Sequence, residues 1–114
     1  ARSGRAEHRY LRPRLRGRCD AAGGFAVVLH KGERDAGTIV VVIAENGRNL
    51  RLFERMPMLD GTRQWQLSRK QDVDNPHEIH QYFQLRCDQD PDLWLIELDI
   101  ANGERFIGHS VDKA

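Results

Sequence analysis

Apolar and polar residues change period several times along this chain, and each change marks an element. Leu11, Leu15, Cys19 and Ala22 recur at helical spacing, Pro13 suits a first turn, and Gly23-Gly24 supplies a stop. They predict a first helix over about 13–22, with its arginines mainly outward and Gly17 weakening it. Phe25 to His30 is apolar and β-branched, and reads as a strand. A polar, glycine-bounded stretch from Lys31 to Gly37 follows. Thr38 to Ala44 then runs seven residues without a charge, which predicts a central strand covered on both faces. Asn46-Gly47 fits a type I′ hairpin turn, with Asn49 to Arg55 returning. Leu50 and Leu52 face one side of that strand, Arg51 and Arg55 the other. Phe53 breaks the alternation, so a bulge or a second apolar contact is expected.

Residues 56–61 read as a connection and 69–74 as a loop. Between them, Gln64 to Ser68 alternates as a strand with Trp65 and Leu67 inward. Asn75, Pro76 and Glu78 match the start of a second helix: a cap, a first-turn proline, and an acid three residues after the cap. Its apolar stripe is Ile79, Tyr82, Phe83 and Cys87, and Pro91 ends it. Leu93 to Ile100 is the next strand. Trp94, Ile96, Leu98 and Ile100 share one face, with Glu97 and Asp99 opposite. Asn102-Gly103 repeats the turn signal and predicts a short return strand over 105–107. The expected fold is α+β. It has a single antiparallel sheet of five or six strands, a meander of four and then a late hairpin, with two flanking helices in the order α-β-β-β-β-α-β-β. Residues 1–12 form a basic N-terminal arm and 13–110 the single domain.

Composition adds bounds. A chain of 114 residues suits one domain with an ordinary core. No apolar run approaches the ~18 residues of a membrane span, so no membrane partner is expected. With 39% hydrophobic and 31% charged residues, collagen-like, low-complexity and coiled-coil classes are excluded. The net charge of +1 conceals an asymmetry. Residues 1–19 hold seven arginines against Glu7, a net +6, and the remainder carries −5. Such an arm tracks nucleic-acid phosphates, folds onto the acidic body, or stays solvated. Arg9, Arg12, Arg14 and Arg16 are the candidate phosphate ligands. The chain starts at Ala1 without a methionine, so residues 1–8 are given little weight. Cys19 and Cys87 do not make a disulfide framework, and no apolar leader follows the basic start. A cytoplasmic protein with reduced thiols is expected.

Several residue groups invite a chemical reading, and each has a plainer one. His77 and His80 stand three apart on the second helix with Cys87 beyond them, the candidate metal ligands. A zinc site needs about four ligands, and neither Cys-x-x-Cys nor His-Glu-x-x-His is present. Solvent-facing helix histidines are the plainer account, which His8, His30 and His109 share. Cys19 and Cys87 lie toward helix C-termini, where the dipole disfavours a thiolate, and read as small buried hydrophobes. Asp88, Asp90 and Asp92 alternate like a calcium loop. Leu93 and Asp99 stand where that loop has its glycine and glutamate, so the carboxylates instead frame a turn at Pro91. The loop from Gly32 to Gly37 lacks phosphate-loop spacing and precedes a strand. Trp65 and Trp94, with Phe53 and Tyr82, form a base-stacking platform only if exposed; on alternating strands they read as core. No catalytic constellation remains, and no cofactor is implied.

Three segments resemble a known family. Arg18-Cys19-Asp20-Ala21-Ala22-Gly23 leads into an apolar strand, Lys31-Gly32 with Asp35-Ala36-Gly37 bounds a loop, and Asp90-Pro91-Asp92-Leu93-Trp94-Leu95-Ile96-Glu97 opens the late strand. In that order they resemble a small, mostly alphaproteobacterial family known only as a domain of unknown function, over about residues 15–107. The last segment is the most specific. The resemblance implies a cytoplasmic, stand-alone domain and carries no activity, cofactor or catalytic residue with it. Pro13, Gly17 and the arginine series depart from the smoother apolar run of that family.

The leading expectation is a non-enzymatic interaction module that binds a protein partner or forms a homo-oligomer. It would use an uncovered sheet face or the edge strand at 104–107. The alternative is a nucleic-acid-binding accessory protein using the arginine arm. The third is a metal-binding protein or enzyme around His77, His80 and Cys87.

Overall fold

The computed structural model describes residues 19, 21–33 and 37–107. Five strands lie within them: β1 (Phe25–His30), β2 (Ile39–Glu45), β3 (Arg48–Pro57), β4 (Arg63–Lys70) and β5 (Trp94–Asp99). One α-helix, α1 (Glu78–Gln89), separates β4 from β5, and a 3-10 helix, Gly103–Ile107, follows β5. The strands form one mixed sheet in the order β1-β5-β2-β3-β4. The first helix expected over 13–22 and the arm at 1–12 lie outside the described residues, save for Cys19 and Ala21, which are helical, and Ala22, in the turn that follows.

β2, β3 and β4 make the expected antiparallel meander. Asn46 (φ 54°) and Gly47 (φ 74°) both take the left-handed conformation that a tight β2–β3 turn requires. The Asp99 carboxylate of β5 secures that turn, accepting the Asn46 N–H at 2.7 Å and the Gly47 N–H at 2.8 Å. Leu52 pairs with Val42 on one face, and Phe53 with Val41 on the other. Phe53 thus makes the second apolar contact, and the β3–β4 register shifts at the same place. β4 continues through Arg69 and Lys70, expected as loop, because they still pair with Leu52 and Arg51. Trp65 is buried, whereas Leu67 on this edge strand is exposed.

The sheet is not purely antiparallel. β5 enters between β1 and β2, antiparallel to the first and parallel to the second. β1 and β2 therefore form no hairpin. Leu93, Trp94, Leu95, Ile96 and Leu98 are all buried, so β5 is apolar on both faces and belongs inside the sheet. The passage from β4 through α1 supplies the long crossover that a parallel pair needs.

α1 covers one face. Its Ile79 and Phe83 pack on Val40, Val42, Leu50, Leu52, Leu93 and Leu95, with Tyr82 and Cys87 at the margin. That is the predicted stripe, and each of the two buried side chains contributes about 1.5–3 kcal/mol. The helix start differs from expectation. His77 precedes it without a side-chain cap. Asn75 bridges to Asp72, and the Glu78 carboxylate lies 3.8 Å from Arg69 instead of closing a capping box. Arg69 is held beside it by stacking 4.0 Å over the Tyr82 ring.

The opposite face is covered, not open. Ile39, Val41, Ile43, Phe53, Trp65, Trp94, Ile96 and Leu98 form a second core with Cys19, Phe106 and Ile107. The return strand expected at 105–107 is instead part of the 3-10 helix. Both edges of β5 are already paired, so no place remains for another strand there. In the helix, Phe106 and Ile107 are both buried in one core, which adjacent strand positions cannot achieve. Arg105 closes the turn by donating to the Ala101 and Asn102 carbonyls at 2.7 and 3.2 Å. Arg51 of β3 ties the 3-10 helix to the sheet through Glu104 at 3.1 Å.

Candidate functional site

Two of the three resemblance segments meet at one end of the sheet. Gly32 and Gly37 lean directly on the Asp92 carbonyl, and a methyl group at either position would collide with its oxygen. The Glu33 N–H donates to that oxygen at 2.9 Å, and the Trp94 N–H donates to Thr38 at 2.7 Å. The Trp94 indole N–H donates to the Glu33 carbonyl, and His30 Nδ1 to the Leu93 carbonyl at 2.7 Å. Asp90 accepts the Asp92 N–H at 3.2 Å across Pro91, its expected turn role. The glycines here serve backbone-to-backbone packing of a loop on a strand start, and the Glu33 amide is engaged by the chain itself.

The structure disperses the other sequence candidates. Trp65 is 8% and Trp94 2% exposed, so the condition for a stacking platform is not met. His77, just before α1, and His80 on it are exposed, and the His80 ring meets Phe83 edge-on at 5.7 Å. Cys87 lies partly buried under the helix, where burial, and then Asp88, push its thiol above the ordinary value. Cys19 is fully buried in the second core. Among the described residues, no three His, Cys, Asp or Glu side chains stand close enough to share a metal ion. None of the described helices is long and apolar enough to cross a membrane. Arg9, Arg12, Arg14 and Arg16 lie outside the described residues.

Charged groups on the helix-side face are mutually engaged. Arg86 of α1 donates to Glu54 of β3 at 2.8 Å, and Ser68 donates to the same carboxylate at 2.8 Å. The Glu54 bond raises the Arg86 pKa further. Glu97 of β5 sits between Val27 of β1 and Val42 of β2. Burial, then repulsion from Asp99, raise its carboxyl above the ordinary range, and His80 opposes them.

The feature that sequence reasoning missed is β1. It is an edge strand, and its apolar side chains are not covered. Phe25 is 73% and Val27 50% exposed on one face, Val28 is open on the other, and Leu29, at the register shift, is 46% exposed. Among the described residues, no strand pairs with its outer edge. The sequence carried no signal for this: Phe25 to Leu29 is apolar without alternation, as the buried β2 is, and only its place at the edge leaves it open.

These features define a class, a small α+β protein with a five-stranded mixed sheet, one packed helix and no catalytic constellation among the described residues. The chain belongs to the DUF1491 family of proteins of unknown function, which matches residues 11–108. It is similar to a DUF1491 family protein from Caulobacter crescentus CB15, at 26% identity. The crystal structure of that protein matches with a TM-score of 0.71 over 85% of this chain and 89% of that one. An NMR structure of a DUF1491 family protein from the same organism matches at 28% identity and a TM-score of 0.67, over 82% and 84% of the two chains. A protein from A. tumefaciens, solved in solution, shares the fold at 23% identity and a TM-score of 0.69, over 87% and 89%. No curated protein matches the sequence.

Proposed function

We infer that this protein is a non-enzymatic, cytoplasmic interaction module and that β1 is its docking element. The observation that carries this reading is the contrast between the two edges of one sheet. β4 holds Arg63, Arg69 and Lys70, the charges by which edge strands avoid unwanted pairing. β1, Phe-Ala-Val-Val-Leu-His, holds no lysine, arginine, acid or proline, and only a register shift after Val28 interrupts it. Such an edge accepts a partner strand through its main chain, while the flanking side chains select what binds. A photo-crosslinking residue replacing Phe25 tests this in cells. An adduct is expected from position 25, none from the equally open Val73, and the adduct should vanish when Val27→Lys is added. A folded protein that gives no adduct at position 25 sinks the reading.

One further observation favours a second reading. The β3–β4 register places Arg55, Arg63 and Lys70 on the face away from α1. That cationic strip, with Arg9, Arg12, Arg14 and Arg16, suits an accessory protein that tracks nucleic-acid phosphates. Binding to a single-stranded oligonucleotide that weakens steeply with salt supports it; no binding at low salt removes it.

A further inference from the structure

We propose that the partner of β1 is β1 of a second copy, paired antiparallel about a twofold axis through Val27, so that two five-stranded sheets become one. The proposal rests on β1 being a docking element and names its occupant.

The two ends of β1 differ in charge. At its start lies a hollow of about 520 Å³ lined by Gly23, Phe25, Glu45 and Asp99. Asp99 uses two of its acceptor positions on the Asn46 and Gly47 amides and keeps others free. Just past its end stands exposed Lys31. A parallel partner would set lysine beside lysine and carboxylates beside carboxylates. An antiparallel one centred on Val27 brings the Lys31 end of each copy beside the Gly23 end of the other, towards the acidic hollow.

The same register matches the apolar side chains. Opposite residues in an antiparallel pair share a face. Centring on Val27 puts Val27 opposite Val27 and Ala26 opposite Val28 of the other copy, and the register shift after Val28 ends the regular pairing before Leu29. The strand between the charged ends carries no formal charge, so pairing buries none. One six-residue strand makes a small interface, in the class below about 1,200 Å² whose complexes are weak.

Sedimentation of the full chain over roughly a hundredfold concentration range tests this, because self-association appears only by mass action. A monomer–dimer equilibrium is expected. Val27→Lys should weaken it at least ~10-fold by setting like charges face to face. Lys31→Glu should weaken it ~3-fold or more and remove its salt dependence. In a Cys87→Ser background, Val27→Cys should oxidise to a covalent dimer, since the Cα atoms of opposite residues, about 4.5–5.5 Å apart, fall within the span a disulfide bridges. The exposed Val73→Cys should not. A strict monomer over the whole range, or a dimer unaffected by Val27→Lys, overturns the proposal. A monomer that still crosslinks another protein through position 25 defeats the second copy alone; a monomer without any adduct defeats the docking element too.

Discussion

Replacing Gly37 with alanine tests whether the 31–38 loop is a structural lock or an opening for a ligand. The added methyl would overlap the Asp92 carbonyl oxygen and stand 3.0 Å from Trp94 Cδ1. Loop and strand must then separate. Strain of this kind in a packed site costs about 1–3 kcal/mol. Separation also loosens the Trp94 N–H bond to Thr38 and the indole bond to Glu33, each worth about 0.5–1.5 kcal/mol. The expected loss is about 2–4 kcal/mol, from a total of about 5–15. In urea the midpoint should fall by about 1–2 M at an unchanged slope, followed by the fluorescence of the buried tryptophans. Gly61→Ala is the comparison. Its φ is 89° and nothing lies within 4 Å, so only the backbone conformation is penalised, at about 1–2 kcal/mol. If Gly37→Ala kept its stability within about 0.5 kcal/mol of the parent, or ranked above Gly61→Ala, the lock would be wrong.

Glu54→Gln leaves Arg86 without its anionic partner on a half-covered face. A loss of about 1–2 kcal/mol is expected, between the values for exposed and buried pairs, and a double-mutant cycle with Arg86→Met should recover much of it. Because folding raises the Glu97 pKa, its contribution to stability is complete below the unfolded value near ~4.3 and is lost as pH rises through the folded value. Glu97→Gln should remove that decline and exceed the parent in urea midpoint at pH 7 relative to pH 4. Parallel curves for the two proteins would contradict the sign. A thiol reagent at neutral pH should label Cys87 more slowly than free cysteine, and Cys19 only after unfolding. Fast labelling of Cys19 in the native protein would mean that it is not packed in the core.

Local features of the fold were legible wherever a residue's own neighbours decide the outcome. Thr38 to Ala44 could only be central, Asn46-Gly47 could only turn, and Ile79 and Phe83 could only face a sheet. Pairing was not legible. Leu93 to Leu98 shows that β5 is buried, but the choice of β1 and β2 as its neighbours depends on packing of all five strands. Asn102-Gly103 carries the same dipeptide as Asn46-Gly47, yet leads into a 3-10 helix. Adjacent Phe106 and Ile107 were the contrary signal, since a strand would have split them between faces. For the candidate site, burial of Trp65 and Trp94 was readable from alternation. The openness of β1 was not, because it follows from β1 taking the edge position.

The placement of β5 has a consequence for synthesis. β1 leaves the ribosome nearly seventy residues before the strand that pairs with it. At about 5–20 residues per second, Phe25 to Leu29 waits unpaired for roughly 3–14 seconds, while the β2–β4 meander can already close. Any ribosome stall before residue 94 therefore releases a half-built sheet whose most adhesive segment has nothing to bind, and nascent-chain quality control would meet this protein at that stage first.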